Sequence, residues 1–216
     1  MATATGRAGS LADRAYEAIR ELIITLELEP GSVINERELI ERIGIGRTPV
    51  REALRRLAQE RLVEMYPRRG MFVTGVDVRE LARLSEVRAV LEAEAARLAA
   101  ERATDAERAE LRTLIAEIGG DLDDRGLMEL DERIHRAVYR CSHNDLLEDT
   151  LEQYYMLALR IWMIALDRQH ELKDAVGEHQ TLLEAIHDGD GPRAAETMRG
   201  HVEDFEQAMH RVLLSV

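Results

Sequence analysis

A single cysteine, Cys141, stands in the 216-residue chain. One thiol excludes an internal disulfide framework and fits a reducing compartment. Long hydrophobic runs are missing too. The most apolar central stretch, Tyr154 to Leu166, is broken by Arg160, and nothing approaches the roughly 18 uninterrupted apolar residues that suggest a membrane span. The opening residues, MATATGRAGS, lack the apolar core of a signal peptide. A cytoplasmic location is therefore expected, with residues 1–9 disordered. Proline is scarce, and each of the four (Pro30, Pro49, Pro67, Pro192) falls at a break or a helix start. Positive charge is also short: 29 Lys and Arg face 42 Asp and Glu, a net charge of -13. Taken alone, that balance argues against a nucleic-acid partner.

The shortage is uneven. Residues 1–75 carry 12 basic and 11 acidic side chains, whereas residues 76–216 carry 17 and 31. Within the first part, residues 42–75 hold 8 Arg against 3 Glu. A locally basic segment attached to a strongly acidic one is the pattern that a chain-wide average conceals. The length suits one large domain or two small ones, and 45% hydrophobic residues suffice for a core.

Ser10 with Asp13 signals a helix start, after which Leu11, Ala15, Ile19, Leu22 and Leu26 recur at helical spacing. The turn expected to end that helix is Glu29-Pro30-Gly31-Ser32. Asn35 with Glu38 opens a short second helix that stops near Gly44. A third begins at Arg47-Thr48-Pro49 and buries Val50, Leu54, Leu57 and Ala58. Leu62 to Tyr66 and Met71 to Thr74 are β-prone runs joined by Pro67-Arg68-Arg69-Gly70, which predicts a hairpin. Three helices and a hairpin over residues 10–75 make a winged helix-turn-helix. Residues 76–216 show no strand pattern, with helices expected near 77–101, 104–118, 126–141, 144–166, 170–188 and 191–214. The fold class is mainly α: a winged helix-turn-helix followed by an all-helical bundle of about six helices.

The segment Gly44-Ile45-Gly46-Arg47-Thr48-Pro49-Val50-Arg51 is a tight turn entering a helix. In helix-turn-helix proteins the start of the second helix reaches base edges, and the arginine fork matches guanine O6 and N7. Arg47, Thr48 and Arg51 occupy that start, and Arg55 continues the row at i+4. Arg37 is placed for a backbone phosphate. Arg68 and Arg69 at the hairpin tip are placed to reach the flanking groove, and Gly70 lets the backbone come close. The expected partner is a double-stranded DNA operator with two-fold symmetry, bound by a homodimer.

These residues carry a resemblance. Pro30-Gly31, Glu36-Arg37-Glu38-Leu39, Arg47 to Leu57 and Arg69-Gly70-Met71-Phe72-Val73 resemble the DNA-binding domain of GntR-family bacterial transcription regulators. The resemblance implies DNA contact by Arg37, Arg47, Thr48, Arg51 and Gly70. Gly46 departs from the Ser or Thr usual before the recognition arginine, which removes one hydroxyl.

In the acidic part, Asp131 and His135 stand at i and i+4 and share a helix face. His179 and His201 each lie 11 residues from Asp190, the centre of the turn between their helices. In an antiparallel hairpin they come to one level. One carboxylate and three imidazoles suit a divalent ion such as Zn²⁺ or Ni²⁺, and equally suit buried, hydrogen-bonded histidines. Glu86-Val87-Arg88 with Leu91-Glu92, Asp131 to His135, Asn144, Glu178-His179 through Gly189-Asp190, and Arg199-Gly200-His201 resemble the FCD domain of the FadR subfamily. That resemblance implies metal ligation by Asp131, His135, His179 and His201. A metal with an open position would help to bind a small organic acid effector, for which Arg88, Arg160 and Asn144 are the candidates. Arg88 either clamps the acid or pairs with Glu86 or Glu92. Binding of a metal needs neutral imidazoles, so affinity is expected to fall near pH 6.5.

The sequence thus predicts an effector-responsive transcription regulator rather than an enzyme. The alternative is a metalloenzyme carrying an attached DNA-binding module. Glu132, the position of the base in a HExxH-like string, points about 100° away from Asp131, and Cys141 has no evident catalytic partner.

Overall fold

The computed structural model describes residues 10–118, 120, 122–165 and 170–214. The terminus over 1–9, for which disorder was expected, lies outside them, as does Gly119 of the expected Gly119-Gly120 break. Two compact units emerge, Met1–Val76 and Asp77–Val216.

The first unit contains α1 (Leu11–Ile24), α2 (Glu36–Ile43), α3 (Arg47–Gln59), β1 (Val63–Tyr66) and β2 (Gly70–Val73). Ser10 and Asp13 form a reciprocal capping box at the start of α1. The expected end of α1 needs correction. The helix stops at Ile24, Thr25 caps it, and Leu26 adopts a left-handed φ of 60°. Leu28 then donates its amide to the Leu22 carbonyl at 2.8 Å, so Leu26 continues the apolar spacing without continuing the helix. Leu11 is 57% exposed and takes no part in the core face. That face is Ala15, Tyr16, Ile19 and Ile23, packed with Val50, Ala53, Leu54 and Leu57 of α3. Gly44 closes α2 at φ 67°, a conformation that costs a side chain bearing a Cβ. The hairpin pairs Val63 with Val73 and Tyr66 with Gly70, and Val33 bridges to Phe72 on its other edge.

The second unit is all helix among its described residues: α4 (Val78–Arg102), α5 (Asp105–Ile118), α6 (Asp124–Cys141), α7 (Asp145–Ala165), α8 (His170–Asp188) and α9 (Gly191–Leu214). Thr104 and Glu107 cap α5 reciprocally, with Thr104 N donating to Glu107 at 2.8 Å. Asp77 caps α4 through the Arg79 amide, not through the pairing with Glu80 expected from sequence. Helix α4 is central. Its buried Ala89, Ala93, Ala96 and Ala99 lack bulk, so α6, α7, α8 and α9 can all approach it. Arg108 binds the carbonyls of Ala100, Ala103, Ile186 and His187, fastening the end of α8 to α4 and α5. No helix among the described residues is long and apolar enough to cross a membrane.

Cys141 closes α6 inside this core, 1% exposed, and burial pushes its thiol up to about 12. Thiolate is the reactive form. A maleimide or iodoacetamide reagent at neutral pH is therefore expected to leave the folded chain unlabelled and to label it after denaturation. Rapid stoichiometric labelling of native protein, read by mass spectrometry, would contradict this packing.

Candidate metal centre and nucleic-acid interface

Along α3 the apolar residues Val50, Ala53, Leu54 and Leu57 face inward. That leaves Arg47, Thr48, Arg51 and Arg55 exposed on the other side. Gly46 is the N-cap and supplies no side-chain cap, so the first amides of α3 lack the usual local acceptor. Arg51 is held by Glu36 of α2, Nε to carboxylate at 2.8 Å. Arg37 projects from α2 and pairs only with exposed Glu41 at 3.1 Å. Surface pairs of this kind are weak and readily exchanged for phosphate. At the hairpin, Arg69 lies 5.9 Å from the centre of the Tyr66 ring. Gly70 has a φ of 102°, which only glycine adopts without strain.

In the helical unit, Asp131 and His135 project from α6, His179 from α8 and His201 from α9. All four are buried, and their ligating atoms lie within 4.8 Å of one another. His135 Nε2 is 3.3 Å from His179 Nε2 and 3.4 Å from His201 Nε2. The register argument for α8 and α9 thus places its two rings 4.3 Å apart, centre to centre.

The outward nitrogens explain which way the lone pairs point. His201 Nδ1 lies 3.0 Å from Glu178 Oε2. His135 Nδ1 is 2.9 Å from Glu92 Oε2, off the line of a good hydrogen bond, and 3.1 Å from the Tyr139 hydroxyl. The Glu178 carboxylate can only accept, so His201 Nδ1 carries the hydrogen and its Nε2 is bare. The Nε2 atoms of the three histidines converge beside Asp131. The Asp131 Oδ2 accepts from Tyr155 at 2.7 Å, while Oδ1 has no hydrogen-bond donor among the described residues and sits 3.5 Å from His179 Nε2. Burial pushes the Asp131 carboxyl up, but the three imidazoles and Tyr155 outweigh it and hold the group below its ordinary range. For His201, burial and the nearby His135 lower the imidazole to about 4, so the expected titration near 6.5 does not apply to this ligand.

Crowded imidazole nitrogens and an orphaned carboxylate oxygen are costly in a buried site unless a cation lies among them. Two nitrogens on a tetrahedral centre with bonds of about 2.0–2.1 Å stand about 3.3–3.4 Å apart, matching the Nε2 separations of 3.3 and 3.4 Å. The residues fit a metal.

Beside the four ligands lies a chamber completed by Arg88, Tyr155, Ala158, Leu159, Trp162 and Phe205. Its free volume is about 10 Å³, the space of one water or one ion. Arg88 is 3% exposed and donates through Nε to Glu92 at 2.6 Å. Burial works against both charges. Each nevertheless holds the other charged, Arg88 raised and Glu92 well below the carboxylate range. Of the two possibilities for Arg88, pairing with Glu92 is realised, and the guanidinium still lines the chamber. Arg160 is buried on α7 outside that lining. Asn144 also stands apart: its side chain caps α7 through the Leu147 amide at 3.3 Å. Glu132 pairs with Arg136 at 2.9 Å and offers no base to the chamber. The side chain of His170 lies outside the described residues.

Sequence reasoning missed Glu92 as a support for His135, Glu178 as a support for His201, and both tyrosines. Tyr139 alone had a local signal, standing four residues after His135 on the same face.

Comparison with known proteins gives a consistent picture. Residues 11–73 match the model described as bacterial regulatory proteins, gntR family, and residues 83–204 match the FCD domain. An HTH-type transcriptional regulator in an unstable DNA locus of Streptomyces ambofaciens is 31% identical, covering 91% of this chain and 84% of its own. The galactonate operon transcriptional repressor of Escherichia coli is 30% identical, with 85% of this chain and 90% of its own covered. Among solved structures, E. coli McbR/YncC superposes with a TM-score of 0.80 over 94% of this chain and 98% of its own, at 22% identity.

Proposed function

Because the chain belongs to the gntR family of bacterial regulatory proteins, with an FCD domain, we propose that it is a cytoplasmic, homodimeric regulator whose operator binding responds to a small organic acid held beside Zn²⁺ or Ni²⁺. That the chain is a transcriptional regulator and not an enzyme follows from its relatives. The operator, the acid and the metal are the new part of the reading.

The observation that carries it is the buried cluster of Asp131 and three histidines, beside a chamber lined by Asp131, His135, His201 and Arg88. An ion bound there supplies positive charge and Lewis acidity toward a carboxylate. Arg88 orients the acid with its guanidinium fork, and Trp162, Phe205 and Leu159 exclude water. Arg160 adds buried positive charge in the same bundle, and Asn144 acts by fixing the start of α7. Room for about one water means that the acid enters only as the lining side chains part. That rearrangement couples occupancy to the arrangement of the dimer, by as much as the acid prefers one arrangement over the other.

On the DNA side, Arg47, Thr48, Arg51 and Arg55 read the major groove, Arg37 holds phosphate, and Arg69 with Gly70 meets the flanking groove. Operator fragments are first selected from genomic DNA with the full chain, and affinity is then measured with and without metal and small carboxylic acids. Arg47→Ala and Arg51→Ala are each expected to cost about 1–3 kcal/mol on the operator and little on unrelated DNA. Wild-type affinity in both variants would refute the assignment of α3 as the reading helix. Affinity indifferent to every acid tested, with metal present, would refute the sensing role.

A further inference from the structure

Helix α4 is buried on most of its surface, but one stripe is not. Glu80, Arg83, Val87, Val90, Glu94 and Arg97 follow one another at spacings of three, four, three, four and three. This is the heptad seam of a helix that packs along another helix. The side chains of Glu80 and Arg83 are 57% and 72% exposed, and those of Glu94 and Arg97 are 47% and 35% exposed. Val87 is 42% exposed and Val90 56%. Among the described residues of the helical unit, only Leu146 and Ile164 join these two valines as exposed large apolar side chains.

The order of the stripe matters more than its exposure. Around a point midway between Val87 and Val90, Glu80 mirrors Arg97 and Arg83 mirrors Glu94. Two copies of α4 laid antiparallel about that point therefore place Val87 against Val90, and all four charged positions meet an opposite charge. A parallel pairing sets each charge against its own kind. A slip of one turn does the same, bringing Arg83 to Arg97 in one direction and Glu80 to Glu94 in the other. Within one chain these groups pair along α4 itself, Arg83 to Glu80 at 3.9 Å and Arg97 to Glu94 at 2.6 Å and to Glu101 at 2.5 Å. Such exposed pairs exchange partners at little cost.

We propose that this stripe is the two-fold contact of the regulator: a second copy of the chain docks antiparallel on α4, with Val87 of one protomer on Val90 of its partner. A self-complementary patch is what a two-fold axis requires. Charge selects both the orientation and the register. The inference rests on the homodimer reading above, and the experiment separates the two.

Analytical ultracentrifugation of the full chain gives the dissociation constant of the wild type and of Val87→Asp, Val90→Asp and Arg83→Glu. Each variant is expected to dissociate at least tenfold more readily, because every change occurs twice across the axis. The double variant Arg83→Glu/Glu94→Arg is expected to recover most of the loss. In a second measurement, Val87→Cys and Val90→Cys chains are mixed and gently oxidised, with a mixed 87-to-90 disulfide as the expected product. The buried Cys141 is the same in both. A dimeric wild type with unaffected variants, and cross-linking no greater than in Leu146→Cys, overturns the seam and leaves the homodimer standing. A wild type that remains monomeric, free and on operator DNA, overturns the homodimer reading as well. A double variant without recovery overturns the antiparallel register.

Discussion

Protein purified without chelator and loaded with Zn²⁺ is expected to unfold roughly 5–11 °C above its metal-free form, a difference that His179→Ala or His201→Ala should remove. The ligands come from α6, α8 and α9, so an ion held by them ties three helices together at one point. At a hundredfold excess over its dissociation constant, a ligand specific for the folded state contributes about 2.7 kcal/mol. In a chain of this size that corresponds to roughly 5–11 °C. Elemental analysis should find about one metal per chain in the wild type and much less in either variant. A wild type that takes up neither Zn²⁺ nor Ni²⁺ on dialysis would leave these histidines as packing residues.

Proton linkage sharpens the same prediction. In the folded, metal-free chain the His201 imidazole is lowered from 6.5 to about 4. Between those values the unfolded chain takes up a proton at this residue that the folded chain refuses. Stability contributed by this group is therefore complete above about pH 6.5, declines as the pH falls toward 4, and is level below that. The slope is at most about 1.4 kcal/mol per pH unit. Denaturant titrations of metal-free wild type and His201→Ala at pH 7 and pH 5 should show a smaller decline in the variant.

How far the sequence reached depended on whether the signal was local. Ser10 with Asp13 and Thr104 with Glu107 announce helix starts because a capping box is complete within four residues. His179 and His201 could be brought together by counting from the turn, since an antiparallel hairpin converts equal distances into one level. Leu26 misled for a related reason. Apolar spacing records which side chains are hydrophobic and says nothing of φ, so a half-buried leucine in a left-handed turn looks like another helical turn. Glu92 was harder. It stands in an alanine-rich run of α4, and only the close approach of α6 to those alanines brings His135 to its carboxylate. Tyr155 reaches Asp131 from 24 residues away, across two helices whose relative position no spacing predicts.

Arg88→Leu and Glu92→Leu are each expected to cost about 3–5 kcal/mol, and the double variant is expected to cost less than either. The pair is fully enclosed, Arg88 3% and Glu92 0% exposed in side chain, with Nε to Oε1 at 2.6 Å. Removing one partner strands the other's charge inside the bundle, Arg88 beside Tyr155 and Phe205 or Glu92 beside His135. Removing both leaves two leucines in an apolar wall. Denaturant unfolding of the two singles and the double gives the coupling directly, and strictly additive costs would show that the pair is not what each charge depends on. Glu92 has a second duty that Arg88 lacks, because it faces His135 Nδ1. Loss of such an outer partner typically weakens metal affinity by about 10–100-fold. Glu92→Leu should therefore lose metal affinity as well as stability. Arg88→Leu should retain most of its metal affinity once the stability loss is allowed for, while losing any response to an organic acid. Equal loss of metal in the two variants would mean that Arg88 supports the ligands rather than the acid.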